Sequence, residues 1–544
     1  MRRPLLLVNP PHAKACEPPP GLLVLAGHLR ARGVDVALAD LNLEVQERLL
    51  SPISLEAAAR ALEEAGAKGA LLSSARRAAR RSPAALEALR RPETYRRWAQ
   101  YRSAADGVAE GWAALSRARG GRFRISDLAM PPLSPLSSAD LLAAAREPEA
   151  LPLFSELGEA ARGLLEGDPE IIGVSVTYLS QALPAFALAG DLRRRGYRGR
   201  LILGGGLVTS WAGRVSPPAR LFEAWDGLVV GPGESALEHL SCGRPPADTP
   251  GLLAPGLGAW NPGSAAPRAV CFRPDAEGLP WGRYLAPGPI LPAAASRGCY
   301  WRRCAFCPEA AQDRQAFRPA PADSLADAIL RARDSVGVHR VHLTDDAVPP
   351  AILRGLARRL RGEGVRWYGF ARLERQLLDP AFAGELAEGG CALLQLGVET
   401  ASQRLLDRMG KGTRAAEAGV AVRNLSDAGI RTYVYLLFGL PTETMGEAER
   451  TVEWAADHAS WITFVNLALF HLPRGSTLEP SPEAEPTGPD LSLYRTAAGS
   501  GEETRRELRR LLSAARGHPA LGPILAATPP GFTSNHAAFS PLPD

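Results

Sequence analysis

The sequence predicts an α/β protein of two units, the first Rossmann-like with a helical insertion and the second an open series of βα repeats. Three observations predict it. Short apolar runs alternate with helical periodicity, glycines follow several of those runs, and a stretch from about 44 to 165, rich in Ala, Leu, Arg and Glu, has helical periodicity with few strand signals. Strands alternating with helices form parallel sheets whose ligands gather at the strands' carboxyl ends. At 544 residues the chain is long for one core. The expected units are residues 1–242, a Pro- and Gly-rich linker at 243–290, a second α/β unit at 291–478 and a C-terminal extension at 479–544.

In the first unit, Leu5–Val8 reads as a strand broken by Asn9, Pro10 and Pro11. Leu22–Arg32 has helical spacing and stops at Gly33, and Val34–Leu38 is a second strand. After the insertion, Ile171–Val176 is a strand and Gln181–Arg195 a helix ending at Gly196. Leu201–Leu203 runs into Gly204, Gly205 and Gly206, and Gly227–Val230 runs into Gly231, Pro232, Gly233 and Glu234. In the second unit, strands are expected at Arg340–Leu343, Arg366–Phe370, Ala392–Gly397, Thr432–Phe438 and Ile462–Leu467. Asp379 and Pro380 form a cap and first turn, Thr413 caps another helix, and Gly429 ends one. With one more strand before residue 299 this makes six βα units, too few for an eight-stranded barrel and suited to a partial one. A helix is expected near Glu502–Ala515.

Composition narrows the function. Lys and Arg number 63 against 58 Asp and Glu, a net charge of +5, too mild to argue for nucleic acid. Only Lys14, Lys68 and Lys411 are lysines, which reads as base composition. No run of about 18 apolar residues suggests a membrane span. The start is too short for a signal peptide. Of seven cysteines, Cys16, Cys242, Cys271 and Cys391 are scattered, so a reducing cytoplasm fits better than a disulfide framework.

The other three, Cys299, Cys304 and Cys307, lie close together just before the second series of repeats. Three thiolates this close can bind three irons of a 4Fe–4S cluster and leave the fourth open to a non-protein ligand. A structural zinc site is the other reading, but zinc takes four ligands and the nearest histidine, His339, is far along the chain.

This loop resembles that of the radical S-adenosylmethionine enzymes, whose pattern is Cys-x3-Cys-x2-Cys with an aromatic before the last Cys. Phe306 matches the aromatic, and Ser296, Arg297 and Gly298 match the flank; the first gap here is one residue longer. Downstream segments match in order: Thr344, Asp345 and Asp346, where the family contacts the methionine amino group; Arg372; Glu399 with Thr400, Ser402, Met409, Lys411 and Gly412, reading ribose and carboxylate; and Gly439, Leu440 and Pro441 with Thr442, Glu443 and Thr444, near adenine. The resemblance covers about 291–470 and implies a partial (β/α)6 barrel in which an electron from an external reductant of the flavodoxin or ferredoxin type splits S-adenosylmethionine. The products are methionine and a 5′-deoxyadenosyl radical, which the protein shields.

The first unit resembles the cobalamin-binding domain of the cobalamin-dependent branch of this superfamily. Asn9, Pro10, Asp40, Ser175, Thr177, Gly204, Gly205, Gly206, Thr209, Asp226, Gly231, Gly233 and Glu234 carry the match, and Tyr178 and Gln181 are placed to approach the corrin. The family's Gly-Glu-Gly-Glu is Gly-Pro-Gly-Glu here, and the Asp-x-His-x-x-Gly motif is absent, so no motif His ligates the lower cobalt face. A Rossmann-like domain that has lost its cofactor is the alternative. His12, in the first loop, faces either a cofactor or the core. The implied function is methyl transfer to an unactivated carbon of a small molecule. Alternatives are a non-methylating rearrangement, cyclisation or epimerisation, and a cobalamin or iron–sulfur sensor. The insertion and the segment Pro530–His536 are expected to shape the substrate pocket.

Overall fold

Two parallel sheets, each with helices on its flanks, organise the chain in a computed structural model that describes residues 5–214, 219–257, 274–275, 277–307, 317–474, 476–478, 489–495 and 502–527. The first sheet contains β1 (Leu5–Asn9), β2 (Val36–Asp40), β3 (Ile171–Ser175), β4 (Arg200–Gly204), β5 (Gly227–Val229) and β6 (Leu252–Leu253). Its order is β2-β1-β3-β4-β5-β6, parallel except for the β5–β6 pair. This is a doubly wound sheet, and its topological switch point lies between β1 and β3. The expected strands are all present, shifted by one or two residues at their ends.

The second sheet contains β7 (Ile290–Ala293), β8 (Arg340–Leu343), β9 (Arg366–Ala371), β10 (Cys391–Glu399), β11 (Arg431–Phe438) and β12 (Phe464–Leu469). All neighbours are parallel, in the order β12-β11-β10-β9-β8-β7, so the first and last strands stand at opposite edges and the barrel is open. Central β10 is buried along its length except at Gly397, because helices cover one face and the barrel interior the other.

The region of the insertion is mainly helical, with helices at Leu41–Leu49, Pro52–Glu64, Gly69–Ala88, Trp98–Arg119, Ser138–Arg146 and Phe154–Ala160. It also holds an unexpected hairpin, Arg122–Arg124 with Asp127–Ala129, whose three-residue strands are too short to register as a period. The insertion shares one core with the first sheet: Trp112, Leu115 and Phe123 join Leu6 and Val8.

Two expectations need correction, and one open alternative resolves. Thr413 does not cap the helix Ala415–Asp427; the Ala415 N–H donates to Gln403 Oε1 at 2.9 Å instead. The 243–290 stretch contributes β6, which closes the edge of the first sheet, while 258–273 lie outside the described residues. His12 faces the core: it is 1% exposed, its Nε2 meets the Arg124 carbonyl, and its ring stands edge-on to Trp112. Burial pushes its pKa down to about 4.

The C-terminal helices Glu502–Ala514 and Leu521–Ala527 place Leu508, Leu521 and Ile524 in the barrel core. Asp490 accepts hydrogen bonds from the Ser138 N–H and hydroxyl, tying this extension to the insertion. Residues 530–536 lie outside the described residues. Among the described residues, no helix is long and apolar enough to cross a membrane.

Close helix packing yields a paired prediction. A Cβ on Gly190 would come within 1.8 Å of the Ala145 carbonyl oxygen, whereas one on Gly384 would meet nothing within 4 Å. Gly190→Ala is expected to cost about 3 kcal/mol of unfolding free energy, and Gly384→Ala, inside the helix Pro380–Glu388, to add about 1 kcal/mol. Urea unfolding of the two variants checks both signs.

Candidate active site

The cysteine loop has little regular structure of its own and is held from four sides. Ser296–Arg297 pairs antiparallel with Arg318–Pro319. At the end of β8, Asp345 accepts from the Ala295 N–H at 2.7 Å and the Ser296 hydroxyl at 2.6 Å. The Ala305 N–H donates to the Met409 carbonyl at 2.8 Å. Ala305's own carbonyl accepts from the Ser476 hydroxyl at 2.6 Å and the Thr477 N–H at 3.1 Å. Within the longer first gap, Arg302 takes a left-handed conformation, φ 51°. Trp301 then turns inward: Nε1 donates to the Gly410 carbonyl at 2.8 Å and the ring lies 4.2 Å from the Arg372 guanidinium carbon. At Gly412, with φ 68°, a Cβ would meet that ring at 2.1 Å, so only glycine fits.

Arg372, 6% exposed, is the hub. It donates to Glu374 at 3.0 Å and to the Lys411 carbonyl at 2.5 Å, and Nη1 lies 3.8 Å from Cys304 Sγ. Tyr300 also donates to Glu374, at 2.9 Å. Beside this, Glu399 takes φ 67° at the end of β10 and accepts from Lys411 Nζ at 2.6 Å; that ammonium lies 5.6 Å from the centre of the Phe306 ring. Cys304, Phe306, Arg372, Glu399 and Lys411 therefore meet at the carboxyl edge of the barrel.

The other residues expected at S-adenosylmethionine divide. Asp345 is committed to the loop, as above. Asp346 is solvent-exposed yet hemmed in by protein, and loss of hydration raises its carboxyl above the usual range. Ser402 caps the helix Gln403–Arg408 and donates to Glu447 at 2.7 Å. The paired guanidinium of Arg404 is the main cause of Glu447's lowered pKa. Gly439, Leu440 and Pro441 form a turn braced by Glu443, whose Oε2 accepts the Gly439 and Leu440 N–H groups while Oε1 is buried with no hydrogen-bond partner among the described residues. Burial raises Glu443 to about 7.

The first sheet presents a second set at its switch point. Gln181, 1% exposed, donates to Asn9 Oδ1 at 2.9 Å and to the Pro10 carbonyl at 2.8 Å. Its oxygen accepts from the Thr177 and Tyr178 N–H groups at 2.9 and 3.1 Å, lacing the loops after β1 and β3 together. Asn9 also donates to Asp40 at 2.8 Å. Thr209 accepts from the Gly231 N–H at 2.9 Å and donates to the Gly205 carbonyl at 3.1 Å. Glu234 pairs with Arg297 of the cysteine loop. Asn9, Thr209 and Glu234 thus spend their polar atoms inside the protein, although the sequence places them at a corrin. Tyr178 is 50% exposed while surrounding protein raises its hydroxyl pKa, as in a side chain lining a cleft. Gly205, at φ 106°, is pinned against the Val176 backbone, and beside Gly206 the nearest atom to an added Cβ would be Thr177 Cγ2 at 3.9 Å. Gly206 is exposed and its backbone is uncovered at this strand end. Ser175 and Gly204 end β3 and β4 beside it, and Gly233 caps the helix Glu234–Ser241.

The donor set suits an iron–sulfur cluster: three cysteines lie on one loop, with a buried guanidinium beside Cys304. Among the described residues no group of three or more His, Cys, Asp or Glu side chains, the three loop cysteines included, is already gathered to hold a metal ion. Trp301 and Glu374 were not among the residues expected at the site, and Glu443 was expected only as part of the loop near adenine. The aromatic and cationic run filling the long gap is the signal that could have flagged Trp301.

The fold and the loop define a class. Residues 295–455 match the model of the radical SAM superfamily, and this segment is a radical SAM domain. An uncharacterized methyltransferase from Pyrococcus horikoshii is 26% identical over 347 residues, covering 59% of this chain and 72% of that protein. The tryptophan 2-C-methyltransferase of Streptomyces laurentii is 27% identical over 207 residues, covering 35% of this chain and 34% of that protein. Among solved structures, the radical S-adenosylmethionine methyltransferase TsrM from Kitasatospora setae, with cobalamin and a 4Fe–4S cluster bound, superposes with a TM-score of 0.53 at 19% identity, covering 88% of this chain and 77% of that one. The two-sheet architecture is shared along most of both chains.

Two predictions follow from this geometry. Gly412→Ala is expected to drive Trp301 off its seat and cut iron incorporation during anaerobic reconstitution by about tenfold, measured as iron per chain. The raised pKa of Glu443 means that the folded state holds this proton more tightly than the unfolded state. Its stabilising contribution is full below about pH 4.5 and is lost as the pH rises to about 7. Relative to Glu443→Gln, which cannot titrate, the wild-type chain should therefore lose stability across that window, as read by urea unfolding at a series of pH values.

Proposed function

We propose that this chain is a cobalamin-dependent radical SAM methyltransferase acting on an unactivated carbon of a small molecule. The observation that carries the reading is the facing of two edges: the cysteine loop on the open barrel, and the switch point of the first sheet, joined through Glu234–Arg297 and through Glu17 with His342 at 2.7 Å. The relatives named as methyltransferases and the likeness to the cobalamin-bound TsrM fold support it. When bound, the cluster with S-adenosylmethionine supplies a carbon-centred radical and cobalamin supplies a methyl group.

The chain's own residues bind and orient. Cys299, Cys304 and Cys307 hold the cluster, with Arg372 offsetting negative charge at Cys304. Phe306, Asp346, Glu399 and the Gly439–Pro441 turn surround S-adenosylmethionine, with Asp345 and Ser402 fixing the loops on which they stand. Gly204, Gly205, Gly206, Ser175, Thr177, Tyr178, Gly231 and Gly233 line the corrin, behind which Gln181 locks Asn9 and Pro10. The hairpin of the insertion, lying on the loops that follow β1 and β3, narrows the way to the substrate. We assign residues 1–242 to the cobalamin unit, 291–478 to the radical unit, with 243–290 between them and 479–544 after them. A flavodoxin- or ferredoxin-type reductant and a cytoplasmic setting complete the reading.

Anaerobically reconstituted protein given hydroxocobalamin, strong reductant and methyl-labelled S-adenosylmethionine tests it. The label is expected on protein-bound cobalamin, with S-adenosylhomocysteine and 5′-deoxyadenosine both formed. Failure to retain cobalamin overturns the proposal, and 5′-deoxyadenosine without S-adenosylhomocysteine favours a non-methylating radical enzyme.

A further inference from the structure

Glu234 opens the helix Glu234–Ser241 directly after the glycine loop of β5, and that loop is itself pinned where Thr209 accepts the Gly231 N–H at 2.9 Å. Arg297 lies two residues before Cys299, in the two-residue strand paired with Arg318–Pro319 and next to Ser296, whose hydroxyl is fixed by Asp345 at 2.6 Å. The two side chains pair across the interface between the units, with the carboxylate only 13% exposed and the guanidinium 31%. A second contact, Glu17 with His342, crosses the same interface, with the side chains 14% and 2% exposed. It engages the loop after β1 and the strand that leads to Asp345. Gly231, Glu234, Arg297 and Ser296, along the path toward Cys299, are therefore each held by a hydrogen bond or an ion pair.

We propose that the Glu234–Arg297 pair is a strut that fixes the cysteine loop relative to the glycine-rich edge of the first sheet, making both positioning residues for methyl transfer. This rests on the reading above, in which two cofactors must address the same substrate carbon in turn. A radical formed at one and a methyl group held by the other are productive only if the two edges keep their spacing, and small misplacements of reacting groups are costly. An ion pair this enclosed is screened little by solvent, so removing one partner leaves the other charge uncompensated and frees the loop. The family-like glycines supply the ligand surface; Glu234 supplies its alignment.

Hydrogen exchange of the chain as isolated tests the strut without cofactors. Glu234→Gln is expected to speed exchange across residues 298–307, on the other unit, roughly tenfold, and the double variant with Arg297→Gln to be no faster than either single variant. Exchange that changes only around residue 234, or single effects that simply add, overturns the proposal. In the loaded enzyme, either single variant is expected to form more 5′-deoxyadenosine per S-adenosylhomocysteine than wild type. A proportional loss of both, which mere destabilisation would give, also overturns it. If the wild-type chain retains no cobalamin, the methyl-transfer reading fails, while the exchange experiment still decides whether Glu234 and Arg297 couple the two units.

Discussion

Nine residues, Cys299–Cys307, must present three sulfurs in a fixed array without the support of a helix or a long strand. The constraint that organises the barrel edge is how that loop is held. Asp345 grips its entry, Met409 and Gly410 accept from its middle, and Ser476 and Thr477 close over Ala305. Burial raises the Cys304 thiol above its usual range, and the Lys411 and Arg372 cations beside it oppose that rise. The partners that hold the loop come from loops far apart in the chain, brought together by the fold of the barrel.

The same economy governs both edges. Side chains that look in sequence like ligand contacts are largely engaged with one another. Asn9 bonds Asp40 and Gln181, Ser402 caps a helix, Thr209 braces a glycine turn and Glu234 reaches Arg297. What they leave facing the cleft is backbone, glycine and a few side chains such as Tyr178 and Asp346. Buried polar groups need partners, so a strand end that holds a large ligand through its backbone uses polar side chains to keep that backbone still.

Most of the architecture was legible in the chain. Alternating apolar runs and helices located all the principal strands of both sheets, since a parallel strand buried on two faces is a short continuous apolar run. The hairpin at 122–129 escaped because two three-residue strands have no period to read, and β6 because two residues in a Pro-rich stretch do not announce pairing. The three cysteines stand out in the sequence by their spacing. The commitments of Asp345, Glu234 and Thr209 were not legible, because each partner lies on a different loop and is reached only through the fold. Trp301 filling the longer gap, against a glycine more than a hundred residues downstream, belongs to the same kind.

The central claim is that three sulfurs hold a cluster with one open iron where S-adenosylmethionine docks. Electron paramagnetic resonance of the reduced, anaerobically reconstituted protein tests it most directly. The account predicts a 4Fe–4S signal that changes shape on addition of S-adenosylmethionine and disappears in each of Cys299→Ala, Cys304→Ala and Cys307→Ala. A signal indifferent to S-adenosylmethionine, or one that survives loss of any of these cysteines, would contradict it.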